Sequence, residues 1–308
     1  MKNKIVSVIL SISIILCAVF GVIKVSVNTV YADMGPKPSV VITFTGLGDE
    51  VCYATLLSET KSTGPANVWS GKISDARYNS SDEEYPIWQK LVEYKDSDGY
   101  YFLQNLWRCD ETDLLDWNYY PPERFKILLY FPESDSYAVS GIYERYAFDS
   151  YYHVDVQDNN IIEVNSEDTQ NIQPLIADKN YDYTWQIISL AARFVITVII
   201  ELGIALFFGF RDKKTVVVML LVNLVTQLML NIMLNYYNLI EGYTTFLRNY
   251  IFLEIIVLVV EALIYSLLLP KIADKPKKRI TYVEYAVWAN VLSFVAGFII
   301  AKVVPGIF

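Results

Sequence analysis

The sequence predicts an α+β multidomain chain: a mostly-β, sandwich-like extracellular domain followed by an all-α, four-helix transmembrane domain. Three observations predict it. The second half holds four apolar spans, at about 185–210, 215–236, 250–269 and 283–304, each near the ~20 residues a helix needs to cross a bilayer. The first half shows short runs that alternate in polarity, the period of half-buried strands. Charge divides at the same place. Residues 33–184 carry 11 Lys+Arg against 27 Asp+Glu, a net of −16, whereas residues 185–308 carry 11 against 7, a net of +4. A 54% hydrophobic share and a mean hydropathy of +0.30 are too apolar for an ordinary soluble chain.

Residues 1–32 read as a signal peptide. Lys2 and Lys4 precede an apolar run from Ile5 to Ile23, and Val30-Tyr31-Ala32 offers a cut before Asp33. A lipoprotein would use Cys17, but Leu16 stands where a small residue is wanted. An uncleaved anchor helix is the other alternative.

The extracellular domain is expected over residues 33–157. Val40, Ile42 and Phe44 alternate in Ser39–Thr45, GLGDE breaks the run, and Val51–Ser58 follows, which together predict a β-hairpin. Ser81-Asp82-Glu83-Glu84 opens a short helix through about Tyr94, with carboxylates at its positive end. YYFLQNLWRC is a third strand, FKILLYFP is apolar on both faces and therefore central, and Tyr137 to Val156 gives two more. Residues 158–184 turn polar and read as an edge segment running into a juxtamembrane linker. Tyr181, Tyr183 and Trp185 are the aromatics expected at a headgroup boundary. Cys52 and Cys109 either close a disulfide outside the cell or stand as two separate buried thiols.

The membrane domain occupies residues 185–308. Arg211, Lys213 and Lys214 follow the first span, and Lys271, Lys275, Lys277, Lys278 and Arg279 follow the third. The 237–249 loop has only Arg248. Positive loops mark the cytoplasmic side, so the spans run out–in, in–out, out–in, in–out, with both the N-terminal domain and the C-terminus outside. The predicted location is a bacterial plasma membrane.

Polar residues interrupt these spans. Counting from the helix ends places Arg193, Glu254 and Asn231 roughly 5–12 Å below the outer boundary, with an Arg193–Glu254 ion pair expected there. Glu201, Glu261, Asn223 and Gln227 fall roughly 13–23 Å deep, with no basic residue at their level. Two carboxylates so placed share a proton, bind a cation, or sit protonated against amides. The plainer reading is hydrogen bonding between helices. Ala289, Ser293, Gly297 and Ala301, spaced by four, add a small-residue stripe for close packing.

Catalytic motifs are missing. His153 is the only histidine, and HExxH, CxxC, GxSxG and P-loop patterns are absent, which removes metalloprotease and Ser/His hydrolase readings. Asp96-Ser97-Asp98-Gly99 resembles the start of a calcium loop but lacks the later ligands, so a turn is expected, with no metal and no cofactor. The candidate ligand surface is DETDLLDWNYYPPER, which sets Asp110, Asp113 and Asp116 beside Trp117, Tyr119 and Tyr120. Flat aromatics beside carboxylates suit a sugar, an ammonium group or a peptide; a loop folded back on the domain is the alternative. The acidic front half argues against nucleic acid.

The phrases ADMGPKPS, Gly64-Pro65, WNYYPPERFKILLYFPE, ELGIALFFGFR, NLVTQLMLN and the helix bearing Glu254 and Glu261 resemble an uncharacterised family of exported multi-span membrane proteins of Gram-positive bacteria. The resemblance implies the same architecture and no activity. The leading functional expectation is a non-enzymatic cell-envelope protein whose extracellular domain binds a ligand or protein and whose helices anchor or relay that event. Its partners would be the lipid bilayer and an envelope protein or a second copy of itself. A small transporter or channel using Glu201 and Glu261 is the rival, and a membrane enzyme of unknown type comes third.

Overall fold

The computed structural model describes residues 35–163 and 173–303. The signal peptide and its cut lie outside them. The chain forms two compact units, a sheet-rich one over Pro36–Tyr181 and a helical one from Asp182 onward.

The sheet-rich unit contains β1 (Ser39–Thr45), β2 (Tyr53–Ser58), α1 (Tyr85–Glu93), β3 (Tyr101–Phe102), β4 (Trp107–Arg108), β5 (Leu114–Trp117), β6 (Arg124–Phe131), β7 (Ser136–Val139), β8 (Tyr143–Glu144), β9 (Asp149–Asp155), β10 (Ile162–Glu163) and β11 (Ala177–Lys179). One sheet runs β11-β9-β1-β5, with β1 and β9 parallel. The other runs β10-β7-β6-β2-β3, with β4 following β3 along β2 and β8 following β7 along β6. Their facing side chains form one core. Val40, Ile42 and Phe44 meet Leu56, Ile127 and Leu129 there, and Phe125 of β6 stands edge-on to Tyr152 of β9 at 5.8 Å. The other side of β2 and β6 is also buried, because Leu57, Leu128 and Tyr130 pack under Trp88 and Leu91 of α1. That second contact explains why FKILLYFP is apolar on both faces.

Several local expectations are corrected. β1 and β2 are not a hairpin: β1 pairs with β5 and β9, and β2 with β3, β4 and β6. The GLGDE link crosses between sheets, with Gly46 at φ 76° and so close to Val156 that a Cβ would meet its carbonyl oxygen at 2.3 Å. Helix α1 starts at Tyr85 rather than Ser81, because Asn79–Asp82 closes a turn instead, with Asp82 Oδ2 accepting from the Asn79 N–H at 2.7 Å. YYFLQNLWRC is two short strands broken at Gln104, whose φ is 64°. Residues 137–156 give three strands, and the 158–184 stretch contributes β10 and β11 at sheet edges.

The helical unit consists of α2 (Thr184–Phe207), α3 (Lys213–Glu241), α4 (Tyr243–Ile272) and α5 (Arg279–Val303). The first three are long and apolar enough to cross a membrane. Each helix packs on two others, in the cyclic order α2-α3-α4-α5. The expected 237–249 loop is almost wholly helical. Only Gly242, at φ 82°, separates α3 from α4, in a conformation that costs glycine little. Lys214 Nζ reaches Asp274 Oδ1 at 2.6 Å, so the two basic connections share one end of the unit.

Candidate functional site

Two places hold candidate chemistry, one in each unit. In the helical unit Glu201 of α2 and Glu261 of α4 are both buried. The Asn223 amide of α3 donates to Glu201 Oε1. Glu261 is held from two sides, accepting from the Thr226 hydroxyl of α3 on Oε1 and from Asn290 Nδ2 of α5 at 2.7 Å on Oε2. Thr226 lies three residues after Asn223, its Oγ1 3.0 Å from the Asn223 carbonyl oxygen, so the partners of the two glutamates share one face of α3. Below them Tyr265 donates to the Met219 carbonyl at 3.3 Å, and Tyr285 to the Glu201 carbonyl at 3.5 Å. The spacing of three and four along α3 makes this possible, since such residues share a helix face.

Arg193, Asn231 and Glu254 come together as a separate group. Arg193 Nη1 donates to Asn231 Oδ1 at 3.4 Å, Asn231 Nδ2 donates to the Gln227 carbonyl at 2.8 Å, and the Arg193 guanidinium lies 5.8 Å from the Phe246 ring. Arg193, Gln227, Asn231, Tyr250 and Glu254 line a cavity of about 20 Å³, room for a single water. Gln227 thus sits with the Arg193 group rather than between the glutamates. The glutamates' partners Thr226 and Asn290 were missed from sequence. Asn290 is the one amide in the apolar run WANVLSF, and that was its only signal.

In the sheet-rich unit the expected ligand surface divides. Alternation along β5 turns Leu115 and Trp117 into the core and Asp116 outward. Trp117 is therefore a core residue, packed 5.2 Å from Trp107, with Nε1 donating to the Tyr119 carbonyl at 3.1 Å. Asp110 is engaged by Arg108, whose Nε and Nη2 donate to it at 2.9 Å each, and that hydrogen bond holds the Asp110 carboxyl below its usual range. Asp113 is exposed at φ 50°. None of the three carboxylates lines the cavities beside Tyr119 and Tyr120.

Tyr119 and Tyr120 form that tip, their rings edge-on at 5.0 Å, and each borders a cavity. The Tyr119 side, with Arg77, Asn105, Trp107 and Trp117, encloses about 150 Å³. The Tyr120 side encloses about 290 Å³ and brings in two arginines, Arg124 and Arg145, that sequence reasoning did not select. Arg124 Nη1 donates to Glu59 at 2.8 Å. Burial pulls the Arg145 guanidinium below its ordinary value, against the opposing charge of Glu123.

The remaining candidates are structural. Asp96 and Asp98 hold no metal position between them, because the buried Lys126 ammonium occupies it, 2.6 Å from Asp96 Oδ1 and 2.9 Å from Asp98 Oδ2. His153 is a strand-face residue between Thr43 and Thr45, at 3.1 and 3.3 Å. The candidate disulfide is not formed. Cys52 and Cys109 are free buried thiols, with Cys109 Sγ directed at the Leu114 carbonyl at 3.3 Å. Burial pushes the Cys109 thiol up to about 12 and raises Cys52 as well, which makes both poor nucleophiles. No protein-family model, curated protein or solved structure matches the chain.

Proposed function

We propose that this is a membrane-anchored envelope protein whose acidic, sandwich-like domain stands outside the cell and binds a small ligand or partner, while four helices serve as its anchor. The observation that carries the reading is the closure of Glu201 and Glu261 by side chains of the neighbouring helices. Polar groups spent on one another across helices lock a bundle; a conducting path would leave them facing water. The cavity bordered by Arg193, Gln227, Asn231 and Glu254 holds about one water, whereas cavities of about 150 and 290 Å³ lie in the sheet-rich unit. The shared end of the two basic connections fits a cytoplasmic face, and the exposed apolar side chains along the helices, such as Ile199, Phe252 and Leu263, suit lipid. The resemblance to exported multi-span proteins agrees with this architecture.

The rival transporter reading makes an opposite prediction for Glu201→Gln combined with Glu261→Gln. Glutamine keeps the shape and one acceptor. Its amide can donate to the Oδ1 atoms of Asn223 and Asn290, which are buried without a partner, once those amides turn over. The anchor reading therefore expects the double variant to accumulate and melt like the parent, and expects proteoliposomes of either to show no cation or proton flux above empty vesicles. Flux in the parent that disappears in the double variant would establish the transporter instead.

A further inference from the structure

We infer that the cavity beside Tyr120 is an oxyanion site, in which Arg145 receives the carboxylate or phosphate group of a small ligand. The inference deepens the ligand-binding reading of the acidic domain and rests on it. At about 290 Å³ the cavity is near the lower end for small-molecule sites. Of its two arginines, Arg124 is already spent on Glu59. Arg145 is not. Among the described residues its guanidinium makes no hydrogen bond or ion pair, and its Nε is sealed from water. Glu123, also on the wall, is exposed to solvent; its backbone carbonyl accepts the Arg145 N–H at 2.9 Å, but its carboxylate does not reach the guanidinium.

Arg145 is half-buried: its Nε is sealed without an acceptor, which is costly, and the rest of its guanidinium is left unpaired on the cavity wall, where an entering acceptor would satisfy it. Two further features mark the same wall. Thr63 Oγ1 is a second buried polar atom without a partner. Tyr120 holds φ at 51°, directly before Pro121, a strained left-handed conformation for a bulky residue and one that concentrates at ligand clamps. A planar guanidinium matches a carboxylate or phosphate through two parallel N–H bonds. The strongly acidic domain around it disfavours polyanions, which limits the ligand to a small molecule with one oxyanion group.

The test is calorimetric titration of the full-length protein in nanodiscs with inorganic phosphate and, separately, acetate, using chloride at matched ionic strength as reference. The site predicts saturable binding of one of them below about 10 mM, weakened at least about tenfold by Arg145→Gln and tightened a few-fold by Glu123→Gln. Phosphate alone would point to a phosphate-bearing ligand, and acetate alone to a carboxylate. Binding of neither, or a folded Arg145→Gln protein that binds like the parent, overturns the inference. If Arg145→Gln does not fold, an unchanged affinity in Glu123→Gln overturns it. Impermeant labelling of the domain in intact cells reads its location separately. An anion that binds a domain found inside would sink the extracellular placement and leave the site standing.

Discussion

Lys126 shows how a single side chain can decide what a motif does. It projects from β6 toward α1, is almost fully buried, and its ammonium closes the Asp96-Ser97-Asp98-Gly99 turn. Asp96 Oδ2 meanwhile accepts the Asp98 N–H at 2.9 Å, so the turn is complete without a metal. Burial pulls the Lys126 ammonium down, but its hydrogen bonds to Asp96 and Asp98 outweigh that and leave it above the ordinary lysine value. A raised folded-state value means the pair contributes fully below about pH 10.4 and is lost as pH climbs through the folded value. Lys126→Met leaves Asp96 buried and uncompensated, which costs about 3–5 kcal/mol. Thermal melting followed on the sheet-rich unit should therefore show a large deficit at neutral pH that narrows above about pH 10.5. A deficit that stays constant with pH would assign the loss to packing instead. The local pattern DSDG gave the turn but not its occupant, because the lysine lies 28 residues away from Asp98 on another strand.

The elements differ in how much of them local pattern can reveal. A transmembrane-length helix is announced by its own uninterrupted apolarity, and three of the four spans meet that standard in the folded chain. Strand β6 is announced similarly, by apolar residues on both faces. The partnership of β1 is not. It lies parallel to β9, more than 100 residues away, and nothing in the period of either strand encodes that register. GLGDE reads as a hairpin loop because glycines favour turns in general. Its actual task is to carry the chain from one sheet to the other past Val156. Gly46→Ala tests this. A Cβ there would meet a backbone oxygen and force an unfavourable φ, so the variant should lose more than about 1 kcal/mol and melt earlier, whereas Gly48→Ala, with open space around it, should lose less. Equal losses would mean that the crossing is not tight. The candidate ligand surface is divided for a comparable reason. Asp110, Asp113, Asp116 and Trp117 are neighbours in sequence, but β5 alternation and the Arg108 pair send them to different places. Arg145 escaped notice because its significance is the lack of a partner, which only the fold reveals.

At the scale of the molecule, the division of charge and apolarity maps onto two units with separate cores, one around Val40, Leu56 and Trp117 and the other around Leu230, Val257 and Tyr285. The central claim is orientation: the acidic unit outside, the two basic helix connections inside. Cysteine-scanning with a membrane-impermeant maleimide on intact cells tests it most directly, since Cys52 and Cys109 are buried and slow to react. Cysteines are placed singly at the exposed positions Ser70, in the sheet-rich unit, and Lys275, between α4 and α5. The account predicts labelling of Ser70→Cys in intact cells and of Lys275→Cys only after permeabilisation. Labelling of Lys275→Cys in intact cells, with Ser70→Cys protected until the membrane is opened, would contradict it.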